Sequence, residues 1–96
     1  MLSGKTHSVR MPCGSLKVTV NRIDGEVVEV RARMGKNGSC ARCFVESIQE
    51  LVNLCVGYGA SVEEIKKVLC GMRCGSPAWH DGVQVLSCPD AIGGLL

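Results

Sequence analysis

Aromatic side chains, long apolar runs and the residue sets of familiar hydrolytic sites are what this sequence has least of. Only Phe44, Tyr58 and Trp79 are aromatic, so Val, Leu, Ile, Met and Cys must fill the interior, and few rings remain to stack on nucleic-acid bases. Charge interrupts the apolar windows every few residues, and none approaches the roughly 20 residues that span a bilayer. The opening Met1-Leu2-Ser3-Gly4-Lys5-Thr6-His7 has no apolar core of a secretory signal, which argues for a soluble, cytoplasmic protein. No Ser-His-Asp arrangement or carboxylate pair stands out. His7 and His80 fall in expected loops and read as surface histidines, so no catalytic residue is assigned.

Cysteine, by contrast, is abundant. Seven in a chain of this size implies either a disulfide framework or an intracellular metal or thiol site; the odd count and the missing signal favour the second. At 96 residues the chain is a single domain whose core alone leaves it marginally stable, so a staple or a partner is expected. The formal charge of +2 would fall to zero with one Zn²⁺ on four thiolates, which makes the basic balance weak support for a nucleic-acid partner.

Residues 1–11 are polar and aperiodic and read as a flexible lead-in, with a short strand at most over Ser8–Met11. Leu16, Val18 and Val20 then alternate with Lys17, Thr19 and Asn21, and Val28, Val30, Ala32 and Met34 with Glu29, Arg31 and Arg33. A two-residue Asp24-Gly25 turn would set Val20 against Glu29. A three-residue loop over Ile23-Asp24-Gly25 instead pairs Val20 with Val28, Val18 with Val30 and Leu16 with Ala32, and is the expected connection. The hairpin needs helices over its apolar face, and a third strand from Val83–Leu86 or a second subunit could extend it.

A long helix is expected over Cys40–Tyr58, with Ala41, Phe44, Val45, Ile48, Leu51, Val52 and Cys55 as its buried stripe. Ser61 and Glu64 make a capping box for a second helix to about Gly71, burying Val62, Ile65, Val68, Leu69 and Met72. Gly75–Gly82 reads as a loop. The expected class is α+β: a hairpin with two helices on one face and a Cys-rich closing segment.

Two cysteine sets compete as metal ligands. Cys40-x-x-Cys43 with Cys70-x-x-x-Cys74 has the paired short spacings usual for zinc; Cys13, Cys40, Cys74 and Cys88 form a dispersed set. A helix start favours thiolate at Cys40 and Cys43, whereas Cys55 reads as a small core hydrophobe. Gly35-Lys36-Asn37-Gly38-Ser39 before a helix could cradle an anion through Lys36, Asn37, Gly38 and Ser39, but it lacks the P-loop pattern and reads first as a strand-to-helix turn. Lys17, Arg31, Arg33 and Lys36 could share the polar sheet face, most simply as a solvated surface.

Four ordered stretches, Cys13–Asn21, Met34–Ala41, Gly71–Cys74 with Ser76–Trp79, and Ser87-Cys88-Pro89-Asp90-Ala91-Ile92, resemble the TSCPD domain family over about residues 12–95. The family is named for its Cys-Pro-Asp signature, and Leu86 stands where that name has Thr. Such domains occur at the C-terminus of vitamin B12-dependent (class II) ribonucleotide reductases and as small stand-alone bacterial proteins with four shared cysteines. The resemblance implies that Cys13, Cys40, Cys74 and Cys88 are the ligands of a structural Zn²⁺, with Cys43 as a substitute. Read from the residues alone, Pro89 stops the strand before it and Asp90 is expected to cap a short final turn. The implied function is an accessory or binding module acting in trans on a ribonucleotide reductase subunit or a nucleic acid, with a homodimer compatible. The reductase's catalytic barrel does not fit in this chain, so no cobalamin would bind here. A thiol-disulfide relay for a reductase and a small nucleotide-binding protein are the alternatives.

Overall fold

The computed structural model describes residues 2–11, 14–35, 40–75 and 77–96. Asp24 and Gly25 take φ of 52° and 83°, the left-handed pair of a type I′ turn, and connect β2 (Gly14–Ile23) to β3 (Glu26–Met34). Uncorrected, that tight turn would oppose Val20 to Glu29. A bulge restores the phase: Arg22 pairs with Val27 but Asn21 with Glu29, so Val28 is the extra residue. Beyond it Val20 faces Val30, Val18 faces Ala32 and Leu16 faces Met34. The expected three-residue loop and its pairing of Val20 with Val28 are therefore corrected. Inward alternation survives, with all six of those side chains buried, while Val28 is 41% exposed and Val27 takes the inner place.

The sheet's third strand comes from the start of the chain. β1 (Leu2–Met11) runs antiparallel along the whole of β2, giving the order β1-β2-β3. The residues read as a flexible lead-in are thus a sheet edge. They enter through backbone pairing and a few side chains: Val9 and Met11 are buried, and Thr6 Oγ1 lies 2.8 Å from Thr19 Oγ1 on the wet face. Val83–Leu86 does not extend this sheet. β4 (Ala78–His80), expected as loop, pairs with β5 (Val83–Val85) as a separate ribbon turned by Asp81 and Gly82. His7 and His80 consequently lie in strands, both partly buried.

Three helices complete the α+β fold: α1 (Cys40–Gly57), α2 (Val62–Leu69) and α3 (Cys88–Leu95). α1 lies against β3, and its side chains complete the outer hydrogen bonds of that strand. Asn53 Oδ1 accepts the Val30 N–H at 2.7 Å, Asn53 Nδ2 donates to the Val30 carbonyl at 2.9 Å, and Gln49 Oε1 accepts the Ala32 N–H at 2.8 Å. A bare strand edge is a template for aggregation, and here a helix covers it.

α1 buries Val45 and Val52 fully, but Phe44 and Leu51 of the expected stripe are 67% and 60% exposed, and Cys55 is exposed rather than in the core. α2 is capped by Ser61, whose Oγ accepts the Glu64 N–H at 3.2 Å and donates to Glu64 Oε1 at 3.0 Å. Ile65 and Leu69 are buried, whereas Val68 and Met72, expected inside, are 61% and 48% exposed. Among the described residues no helix is long and apolar enough to cross a membrane.

Candidate functional site

The closing segment is wired into the domain through its polar residues. Ser87, 3% exposed, is the N-cap of α3: its Oγ accepts the Asp90 N–H at 3.1 Å and donates to the Met72 carbonyl at 2.6 Å. Pro89 sits in the first turn, where a missing N–H costs nothing. The expected cap, Asp90, is instead a bridge. Its Oδ1 accepts the Gly71 N–H at 2.9 Å and its Oδ2 the Leu86 N–H at 3.0 Å, joining the end of α2 and the exit of β5 to the start of α3. Ser-x-x-Asp before an apolar run was the available signal for the Ser87 cap; nothing in the sequence announced the two distant donors.

Packing fixes the rest of α3. Ile92 is fully buried, and Arg22 Nη2 of β2 donates to the Leu95 and Leu96 carbonyls at 3.3 and 3.0 Å, a cation at the helix's negative end. Gly93 is pressed against α2, where an added Cβ would stand 2.9 Å from Cys70 Sγ and 3.0 Å from Leu69 Cβ. Gly93→Ala is expected to lower stability by about 1–3 kcal/mol through overpacking. Gly94→Ala, where a Cβ would meet nothing within 4 Å, should be neutral or slightly stabilising. Urea unfolding of both variants checks this, and equal effects at the two positions would refute the close-approach account.

None of the six described cysteines forms a disulfide; Cys40, Cys43, Cys55, Cys70 and Cys74 are exposed and Cys88 is partly buried. Cys40 opens α1 and Cys88 opens α3, each at a helix N-terminus. The Cys74 N–H donates to the Leu86 carbonyl at 3.0 Å, which brings the Cys74 backbone beside the segment leading into Cys88. At the other end of the sheet's turn-linked strands, the Gly35 N–H donates to the Ser15 carbonyl at 3.0 Å, so the start of β2 and the end of β3 lie together. Cys13 and the anion-cradle residues Lys36, Asn37, Gly38 and Ser39 lie outside the described residues. Among the described residues no three Cys, His, Asp or Glu side chains gather as a metal site, so neither cysteine set is assembled by those residues alone.

The sequence model of the TSCPD domain matches residues 2–96. The chain belongs to the TSCPD domain family. Neither a curated protein nor a solved structure matches it. The match takes in β1 as well, so the TSCPD domain here includes the strand that the sequence alone set apart as a lead-in.

Two grooves hold the charged side chains and histidines considered from the sequence. One, of about 670 Å³, lies on the wet side of the sheet and holds Lys17, Arg31 and Arg33, the described part of the expected basic patch. Glu29, Glu46 and Glu50 line it too, with Arg31 Nε 3.6 Å from Glu29 Oε1, so its charge is balanced and it is a solvated face. The other, between β1, the ribbon and α3, contains His7, His80 and Asp81; His80 Nε2 lies 3.4 Å from Asp81 Oδ2.

Proposed function

We propose that this TSCPD domain is a zinc-stabilised accessory module that acts in trans on an adenosylcobalamin-dependent ribonucleotide reductase and carries no catalysis of its own. Cys13, Cys40, Cys74 and Cys88 would hold the Zn²⁺ as a closed four-thiolate site, a structural role in which the ion contributes folding free energy and polarises no substrate. The donor set fits that ion: soft thiols, none spent on a disulfide among those described, and two of them at helix N-termini.

The observation that carries the reading is the Cys74 to Leu86 backbone bond. Together with the Ser87 and Asp90 contacts it holds the post-α2 loop against the Cys88 helix start, so two of the four thiol-bearing segments are joined before any ion binds. Metal binding and formation of the four-thiolate site would then be coupled to folding. A reductase is preferred over a nucleic acid as the partner because the cationic groove is neutralised by its own glutamates and presents no aromatic platform.

Elemental analysis of protein purified without added metal is expected to give about one zinc per chain, and chelation is expected to lower the thermal midpoint sharply. A fully folded protein free of metal, with no response to chelator, would sink the proposal.

A further inference from the structure

α1 carries a second apolar stripe that its own fold leaves uncovered. Phe44, Leu51, Leu54 and Tyr58 fall on one line of the helix, with the small polar Ser47, whose Oγ donates to the Cys43 carbonyl at 2.9 Å, completing alternating steps of three and four residues, the spacing of a helix seam that packs against another helix. Tyr58 stays in register because its N–H still donates to the Leu54 carbonyl at 3.1 Å. Their exposures are 67% for Phe44, 60% for Leu51, 55% for Leu54 and 86% for Tyr58.

Beside the stripe runs a groove of about 160 Å³ between α1 and α2, lined by Ile48, Leu51, Cys55, Ile65, Val68 and their core neighbours without a single polar or charged side chain. Arg42 and Glu46 stand on the opposite flank of α1, Nε to Oε1 at 3.0 Å, while Glu50, one turn before Leu54, stands at the rim of the stripe.

We infer that this face is the interface of a two-fold homodimer, the stripe of each copy seated against the stripe and groove of the other. Three observations select a second copy. The exposed parts of Phe44, Leu51, Leu54, Tyr58 and Val68 together present roughly 600 Å² per copy, against about 800 Å² per partner in a standard stable interface once a polar rim is added. The face supplies both the projecting side chains and the groove that receives one, which is the self-complementarity an isologous contact requires. One of the two sheet edges, β3, is already occupied by Asn53 and Gln49 and is closed to strand pairing at Val30 and Ala32.

Sedimentation of the full chain across the micromolar range tests the assignment. The expected result is a species of twice the 10.2 kDa chain mass that dissociates on dilution. Leu51→Glu and, separately, Val68→Lys are expected to weaken association roughly 100-fold while leaving the circular dichroism spectrum of the monomer unchanged, since both side chains are mostly exposed. A wild-type chain that stays monomeric at every concentration overturns the proposal and leaves the face to a different protein. A dimer that neither substitution weakens also overturns it.

Discussion

Asp90→Ala is expected to cost about 3 kcal/mol of unfolding free energy, a large share of the 5–15 kcal/mol that holds a domain together. Both carboxylate oxygens accept backbone N–H groups, one from Gly71 and one from Leu86. Bonds to a charged acceptor contribute about 1.5–3 kcal/mol each; because Asp90 is only partly buried, the lower end applies to both. Its place in the first turn of α3 adds about 0.3–1 kcal/mol from the helix dipole. Asp90→Asn discriminates this account from a generic loss of packing. The amide keeps the shape and one acceptor but must point its NH₂ at the second N–H donor, so it should recover less than half of the alanine loss. Urea unfolding of the two variants at neutral pH reads both numbers, and an asparagine variant as stable as the wild type would show that the two-pronged bridge is not what anchors α3.

That bridge illustrates how unevenly the sequence disclosed the fold. Alternation correctly sorted Leu16, Val18, Val20, Val30, Ala32 and Met34 to one face, because side-chain parity is a local property. Register depends on the turn and on any extra residue, and the Val28 bulge has no signature in a run of valines. β1 was hidden for a different reason. An edge strand whose outward positions are Thr6, Ser8 and Arg10 needs little apolar surface, since β2 supplies its backbone partners. In α1 the stripe from Ala41 to Cys55 was legible, yet it spans a wider arc than one sheet edge can cover, so Val45 and Val52 went in and Phe44 and Leu51 stayed out. The Ser87 cap follows from local pattern. The Asp90 partners, 19 residues away at Gly71 and four away at Leu86, follow only from tertiary closure. Among the cysteines, spacing favoured the local pairs and family resemblance the dispersed four; the Cys74 N–H bonds the carbonyl of Leu86, two residues before Cys88 in the chain, a contact that neither signal announced.

Asn53→Leu is expected to be comparably costly, about 2–4 kcal/mol, although Asn53 is a partly exposed polar residue on a helix whose apolar face is what first draws the eye. Its amide makes the two bonds that a neighbouring strand would make, accepting from the Val30 N–H and donating to the Val30 carbonyl. Leucine matches the volume but leaves both backbone groups without partners under the flank of α1, each at about 1–3 kcal/mol. Asn53→Asp separates the two bonds, because a carboxylate still accepts from the N–H and faces the carbonyl with no proton to give. Hydrogen exchange gives a local readout. In the wild type the Val30 amide should be protected even though β3 is the sheet's outer strand, and in Asn53→Leu its exchange should quicken at least tenfold while Val18, paired on both sides within the sheet, keeps its rate relative to global unfolding. If Val30 exchanged at the same rate in both proteins, the helix would be lying beside the edge without sealing it. If the prediction holds, the substitution converts β3 from a covered strand into an open one, and a rise in higher-order aggregates, distinct from any two-fold dimer through α1, should accompany the lost protection.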